Sequence, residues 1–278
     1  MKRLFVSDLD GTLLNKAAQL NEETVKIVNE CIDKGMDFTV STARTPATAL
    51  KILKPLNLKL PITMMNGAVV YDMATGRYLK ESYMEETVVM VLLGLIKTKG
   101  LSCFLYGVKD GQFVAYYDSV SSTSLNYFRN ERIMKYDKKF IEVADLSLVA
   151  SERILYVVLR EPKEKLVDLH RELSVVKGVK YAFYPDVYNE EYYMLEIYSD
   201  EASKKTTIDE LRKMGRYDSV TGFGDNLNDT PLVEACDYFY AVGNAHPEIQ
   251  NMATTVIPSN EENGVAMYLQ QIMSELGE

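Results

Sequence analysis

Along this chain, short and wholly apolar runs alternate with stretches in which apolar residues recur every three or four positions. Leu4-Phe5-Val6 is a run of the first kind. It shows no polar alternation, which predicts a strand covered on both faces. Val25, Val28 and Ile32 recur at helical spacing. Asn21 precedes them as a good N-cap, Glu22 and Glu23 suit the positive end of the helix dipole, and Gly35 marks the stop. Phe38-Thr39-Val40 predicts a second strand. Thr45-Pro46 predicts a second helix, with proline in its favoured first turn. Ile62-Thr63-Met64-Met65 predicts a third strand. Strand, helix, strand, helix, strand implies a parallel sheet with right-handed crossovers.

The pattern then changes. Residues 69–72 and 77–79 flank Ala74-Thr75-Gly76 and predict a hairpin. From about 81 to 193 the periodicity predicts a helix, paired strands near 101–107 and 112–117, and a second helix. A strand at 153–159, a helix at 162–174 and strand pieces near 180–184 follow. Tyrosines concentrate in this stretch, as suits half-buried sheet faces. After about 194 the first pattern resumes: a strand ending near Tyr198, a helix from Lys204, a strand at 219–223, a helix near Asn228, a strand at 237–241, a helix from His246, a strand at 255–257 and a closing helix from Glu262. The expected fold class is α/β. A Rossmann-like parallel-sheet core, residues 1–80 and 194–278, is interrupted after its third strand by an inserted α+β domain, residues 81–193.

Composition narrows the partners. The 278 residues are 47% apolar and 26% charged, which is ordinary globular usage. With 31 Lys+Arg against 40 Asp+Glu, the net charge is −9. A chain this acidic does not attract phosphate backbones, so neither nucleic acid nor an anionic membrane is an expected partner. One small phosphorylated substrate is still compatible, because a bound Mg²⁺ inverts the local charge. Cys31, Cys103 and Cys236 form no CxxC pair, so a disulfide framework and a zinc site are not expected. The N-terminal apolar run is too short for a signal-peptide core, and no run approaches 18 apolar residues. The expectation is a soluble cytoplasmic protein, a monomer or homodimer.

Candidate chemistry sits where strands end, since ligands of parallel α/β sheets bind at the carboxyl edge. The first strand runs into Ser7-Asp8-Leu9-Asp10-Gly11-Thr12. Two carboxylates two residues apart at an ending strand suit a hard cation such as Mg²⁺, or one nucleophile and one proton carrier. The plainer reading of such a pair is an Asx-type turn. Thr42 follows the second strand, where a hydroxyl serves either a phosphate oxygen or a helix cap. Gly222-Phe223-Gly224-Asp225-Asn226-Leu227-Asn228-Asp229 follows a later strand, and Asp225 and Asp229 can point at the same edge. Lys204 opens a helix and would neutralise charge there; Lys205 stands beside it, and one of the two is expected to be solvated. His170, His246 and the run 135–139 read as surface or capping positions. No GxxxxGK[ST] string is present, so a Walker-type nucleotide site is not supported.

Together these residues resemble the motifs of the haloacid dehalogenase-like superfamily, in particular its Cof-type phosphatases. The string DLDGT at 8–12 and GDNLND at 224–229 carry the likeness, with Thr42 and Lys204 as weaker counterparts. Two positions depart from the usual pattern: Ala43 where glycine is common, and Lys205 where glycine often follows the lysine. The resemblance implies Asp8 as the nucleophile that takes the phosphoryl group, and Asp10 as the acid and base that also lends a backbone carbonyl to Mg²⁺. It implies Thr42, Lys204 and Asn228 on the phosphate, Asp8, Asp10 and Asp225 on Mg²⁺, and Asp229 and Arg44 in support. Residues 81–193 resemble the large α/β cap of that branch, since only nine residues separate Gly11 from Asn21 and leave no room for an earlier insertion.

The expected function is therefore Mg²⁺-dependent hydrolysis of a phosphomonoester, a small phosphorylated metabolite of the sugar-phosphate kind, through an aspartyl-phosphate. A phosphosugar mutase is the alternative within the family. A non-enzymatic phospho-aspartate or phosphate-sensing module is the alternative of another class; receivers of that type are much shorter and have no use for a second acid such as Asp10.

Overall fold

A computed structural model describes residues 1–119 and 122–276. The first sheet forms around the run Leu4-Phe5-Val6. Strand β1 (Arg3–Ser7) is buried from Leu4 onward and pairs in parallel with β2 (Asp37–Val40) and β12 (Ser219–Gly224). The full order is β14 (Thr255–Ile257), β13 (Tyr238–Val242), β12, β1, β2, all parallel. Helix α1 (Glu22–Asp33) begins as its cap predicts: the Asn21 side chain accepts from the Thr24 N–H at 2.7 Å. It buries Ile27, Val28, Cys31 and Ile32 and packs on α9 (Gly264–Leu276). Helix α2 (Pro46–Leu53) starts on its proline, and α6 (Lys204–Gly215) on Ser203.

The third strand departs from a simple parallel sheet. β3 (Ile62–Met64) meets β2 at one parallel bridge, Ser41 with Thr63. Along its length it pairs antiparallel with β4 (Val69–Asp72), in a separate three-stranded sheet completed by β5 (Arg77–Glu81). The reason is local. Met65, Asn66 and Gly67 all have positive φ, 51°, 51° and 100°, so the chain reverses as soon as the strand ends.

The chain divides into two units. One comprises Met1–Thr45, Ala49–Lys80 and the chain from Ser203 onward; the other comprises Glu81–Ala202 and Pro46–Thr48, the first residues of α2. The second unit holds a six-stranded sheet in the order β10 (Val179–Pro185), β11 (Tyr193–Ser199), β9 (Arg153–Glu161), β6 (Phe104–Lys109), β7 (Gln112–Tyr117), β8 (Phe140–Glu142). Only β7 with β8 is parallel. Val89, Leu92 and Ile96 of α3 (Glu86–Thr98) and Leu166, Leu169 and Leu173 of α5 (Lys163–Leu173) bury one face of that sheet. A further helix, α4 (Thr123–Tyr136), buries only Ser124 and Leu125.

The insertion ends later than the sequence predicts. Placing it at 193/194 assigns β11 to the core, whereas β11 pairs antiparallel with both β9 and β10, so the unit runs to Ala202. Leu195 and Ile197 are buried with α3 and α5. On the opposite face the Glu196 carboxylate accepts from the Tyr156 and Tyr184 hydroxyls at 2.9 and 2.8 Å. A strand buried on both faces reads in sequence like a core strand of a parallel sheet. Lys138, expected at the surface with the rest of 135–139, is buried rather than solvated, its ammonium 4.1 Å from the Tyr106 ring centroid. The cysteines are unpaired. Among the described residues no helix is long and apolar enough to cross a membrane.

Candidate active site

β1 ends beside β12, and the Asp8 N–H still donates to the Phe223 carbonyl at 2.9 Å. Adjacent strand ends therefore deliver Asp8 and, two residues past Phe223, Asp225 to one sheet edge. After Asp8 the chain turns through Leu9–Leu13, with Gly11 at φ +76°. Few residues other than glycine adopt that conformation readily. Asp229 closes a short turn, Leu227–Asp229, in which its Oδ2 accepts from the N–H groups of Asp225 and Asn226 at 3.0 and 3.2 Å. Gly224 is required here, because a Cβ would lie 2.6 Å from that oxygen.

The acidic cluster is drawn together by one cation. The Lys204 ammonium donates to Asp8 Oδ1 at 2.7 Å and to Asp229 Oδ1 at 2.5 Å, with all three side chains buried. Lys205 points elsewhere and pairs with Asp209 at 3.2 Å, so Lys204 is the lysine at the site. It is held there by the approach of two backbones. A Cβ on Gly67 would lie 2.4 Å from the Ser203 carbonyl, so only glycine lets the β3–β4 turn touch the start of α6. Thr12 donates its hydroxyl to Asp225 Oδ1 at 2.9 Å.

Asp10 is kept apart from this cluster. Its two carboxylate oxygens accept from Arg44, from Nε at 2.7 Å and Nη2 at 2.5 Å. Thr42 is fully buried one strand over from Asp8; its hydroxyl oxygen accepts from the Arg44 N–H at 3.1 Å, which leaves its proton to donate. Asn228 is buried in the Asp229 turn. His246 caps α8 (Pro247–Met252) and donates its N–H to the Asp225 carbonyl at 2.7 Å, while His170 packs on the Phe183 ring. Thr12 was present in the sequence string but carried no separate signal. Nor did Asn244, which donates to the Gly11 carbonyl at 2.7 Å from 233 residues away.

The charges do not balance without a cation. One oxygen each from Asp8, Asp225 and Asp229 lies within 4.8 Å of the others, all buried, and Lys204 supplies one positive charge against three carboxylates. Burial, then the charge of Asp229, pushes Asp8 well above the usual carboxylate range, with Lys204 pulling it down. Burial, then Asp229 and Asp8, does the same to Asp225. Burial disfavours the Lys204 ammonium, yet the attraction of Asp229 and Asp8 outweighs it and raises the lysine. A hard-oxygen donor set with excess negative charge fits a divalent cation. Both Asp229 oxygens are occupied by N–H donors, whereas among the described residues Asp8 and Asp225 each accept side-chain bonds through Oδ1 only.

The sequence signature of the haloacid dehalogenase-like hydrolases matches residues 5–269. The chain belongs to this family. Relatives of this haloacid dehalogenase-like hydrolase include phosphatase YwpJ of Bacillus subtilis, 24% identical with 98% of this chain and 100% of the relative covered. The 5-amino-6-(5-phospho-D-ribitylamino)uracil phosphatase YitU of the same organism is 25% identical over 98% and 97% of the two chains. Among solved structures, a haloacid dehalogenase-like hydrolase from B. subtilis superposes with a TM-score of 0.80 at 21% identity, covering 97% of this chain and 99% of that one. A subclass IIB sugar phosphatase superposes with a TM-score of 0.74 at 16% identity over 98% and 99%. These likenesses give the fold, an α/β core with additional antiparallel sheets. The chain is an enzyme, a Cof-type phosphatase of this family.

Proposed function

We propose that the enzyme is a Mg²⁺-dependent phosphomonoester hydrolase that works through an aspartyl-phosphate on Asp8. Its substrate would be a small phosphorylated metabolite, with sugar phosphates the first class to test. The observation that carries this reading is the separation of two carboxylates on one turn: Asp8 lies in the Lys204 cluster, while Asp10 is held outside it by Arg44.

Asp8, Asp10 and Asp225 would hold the metal, Asp8 and Asp225 through carboxylate oxygens and Asp10 through its backbone carbonyl. The ion would screen charge on the transferring phosphoryl oxygens. An Asp8 oxygen attacks phosphorus and the P–O bond to the alcohol breaks; Asp10, which must first leave one arm of the Arg44 fork and take up a proton, gives that proton to the departing alkoxide. Asp10 then takes a proton from water as the water attacks phosphorus. Asp8 leaves as carboxylate, and inorganic phosphate is released. Lys204 orients Asp8 through its bridge to Asp229. Thr42 and Asn228 donate to phosphate oxygens. Substrate choice is assigned to the inserted unit, the counterpart of a family cap, with its C-terminal limit at Ala202.

The test is phosphate release from a panel of sugar phosphates, nucleotides and pyridoxal phosphate, run with Mg²⁺, with EDTA and with Asp8→Asn. Metal-dependent release that is abolished in Asp8→Asn is the expected result. Turnover that survives in Asp8→Asn would remove Asp8 from the reaction. Phosphate passed to a second sugar rather than to water would replace hydrolase by mutase.

A further inference from the structure

The turn carrying Asp8 and Asp10 and the turn carrying Asp225 and Asp229 lie far apart in sequence; besides the direct Thr12–Asp225 bond, one short segment ties them together. That segment is the connection from β13 to α8. Its Asn244 side chain donates Nδ2–H to the Gly11 carbonyl at 2.7 Å. Two residues on, the His246 N–H donates to the Asp225 carbonyl at 2.7 Å. The Asn244 carboxamide is itself fixed, since its Oδ1 accepts from the Asn260 N–H at 3.0 Å. Asn260 in turn donates its own Nδ2–H to the Leu14 carbonyl at 2.8 Å. Gly11 lies in the middle of the turn that presents Asp10 and Leu14 ends it, so that turn is held at its centre and at its C-terminal end.

We infer that Asn244 is a positioning residue: through Gly11 it sets where the Asp8–Asp10 turn lies relative to Asp225. The inference rests on the phosphatase reading for its kinetic consequences, but its structural content concerns the spacing of two carboxylate-bearing turns. The chemistry explains why an amide is needed. Gly11 offers a carbonyl, which only a donor can hold, and Asn260 offers an N–H, which only an acceptor can hold; a carboxamide supplies both at once. Asn244 lies at the surface and its bonds are part-buried, so they contribute modestly to folding. Its value lies in geometry, because metal ligands and reacting groups tolerate little displacement.

The experiment compares Asn244→Ala and Asn244→Asp with the parent enzyme, and uses Gln250→Ala as a control. Gln250 donates to the Gly243 and Ala245 carbonyls at 3.2 and 3.1 Å, so its loss loosens the same segment without touching Gly11. Three quantities are read: Tm, kcat and KM for p-nitrophenyl phosphate, and Mn²⁺ affinity from the EPR signal of free Mn²⁺ without substrate. Asn244→Ala should keep Tm within about 4 °C of the parent. It should lose about tenfold in kcat and in Mn²⁺ affinity, with KM changed less. Asn244→Asp keeps the acceptor for Asn260 and loses the donor for Gly11, so it should resemble the alanine variant. Gln250→Ala should lower Tm while keeping the parent's kcat and Mn²⁺ affinity. Parent values in Asn244→Ala, parent values in Asn244→Asp, or equal losses in Gln250→Ala would each overturn the inference. A parent that bound Mn²⁺ and released no phosphate would sink the phosphatase reading alone; the Mn²⁺ titrations would still judge Asn244.

Discussion

Arg44 grips Asp10 through two hydrogen bonds, one to each carboxylate oxygen. The Arg44 side chain is 6% exposed and that of Asp10 22%, so the pair is largely shielded from water. A charge-assisted fork of this kind fixes orientation as well as charge. Arg44→Lys cannot reproduce it, because a lysine is a point charge on a flexible stem.

The expected result is that Arg44→Lys and Arg44→Ala reduce kcat by about tenfold or more for an alkyl phosphate, where Asp10 as the proposed acid would protonate the leaving oxygen. With p-nitrophenyl phosphate, whose leaving group departs without a proton, the loss should be smaller. Equal losses on both substrates would show that Arg44 acts on something other than the acid.

The two adjacent lysines should behave oppositely. Lys204→Met strands Asp8 and Asp229 in the interior without their cation, and breaking a buried pair in this way costs about 3–5 kcal/mol. Urea unfolding should show that loss together with loss of turnover. Lys205→Met breaks an exposed pair with Asp209 and should change stability by less than about 1 kcal/mol.

Gly67→Ala tests the contact between the β3–β4 turn and α6. The residue has φ +100°, and a Cβ would meet the Ser203 backbone at 2.4 to 2.6 Å, so one backbone must move. Destabilisation of about 2 kcal/mol or more is expected, with activity falling further than the folded fraction, because Lys204 follows Ser203 directly. A fully active, parent-stable Gly67→Ala would contradict this.

Stability without metal should fall as pH rises. Asp8 and Asp225 are raised in the folded protein above the ordinary value of 3.8, so across that window the folded state holds more protons than the unfolded one. Their favourable contribution is complete below pH about 4 and is lost as pH climbs through the raised values. On the proposed function Mg²⁺ would replace those protons, so its stabilising shift in Tm should grow from pH 5.5 to pH 8. A Mg²⁺ shift independent of pH would argue that the ion binds elsewhere.

Much of this was legible in the sequence because local rules acted alone. Leu4-Phe5-Val6, the Asn21 cap and Pro46 each announced their element. What escaped was decided across the chain. β11 carries apolar residues on both faces, like a core strand, and only its antiparallel partners β9 and β10 reveal its sheet. Lys204 and Lys205 are indistinguishable by type, and helix phase alone sends one inward and the other to Asp209. Asn244 matters through a carbonyl, and carbonyls leave no trace in a residue code.

The placement of Lys204 also sets the order in which the protein can be completed. It is 196 residues from Asp8, and β12, which flanks β1, lies further still. At about 5–20 residues per second, a ribosome needs about 10–40 s between making the acid and making its partner. Through that interval β1 can zip to β2 but offers a bare edge on its other side, and Asp8 stands without its ammonium. The nascent core is thus an unfinished sheet for as long as the inserted unit is being made, its β1 edge open to a wrong neighbour until β12 arrives.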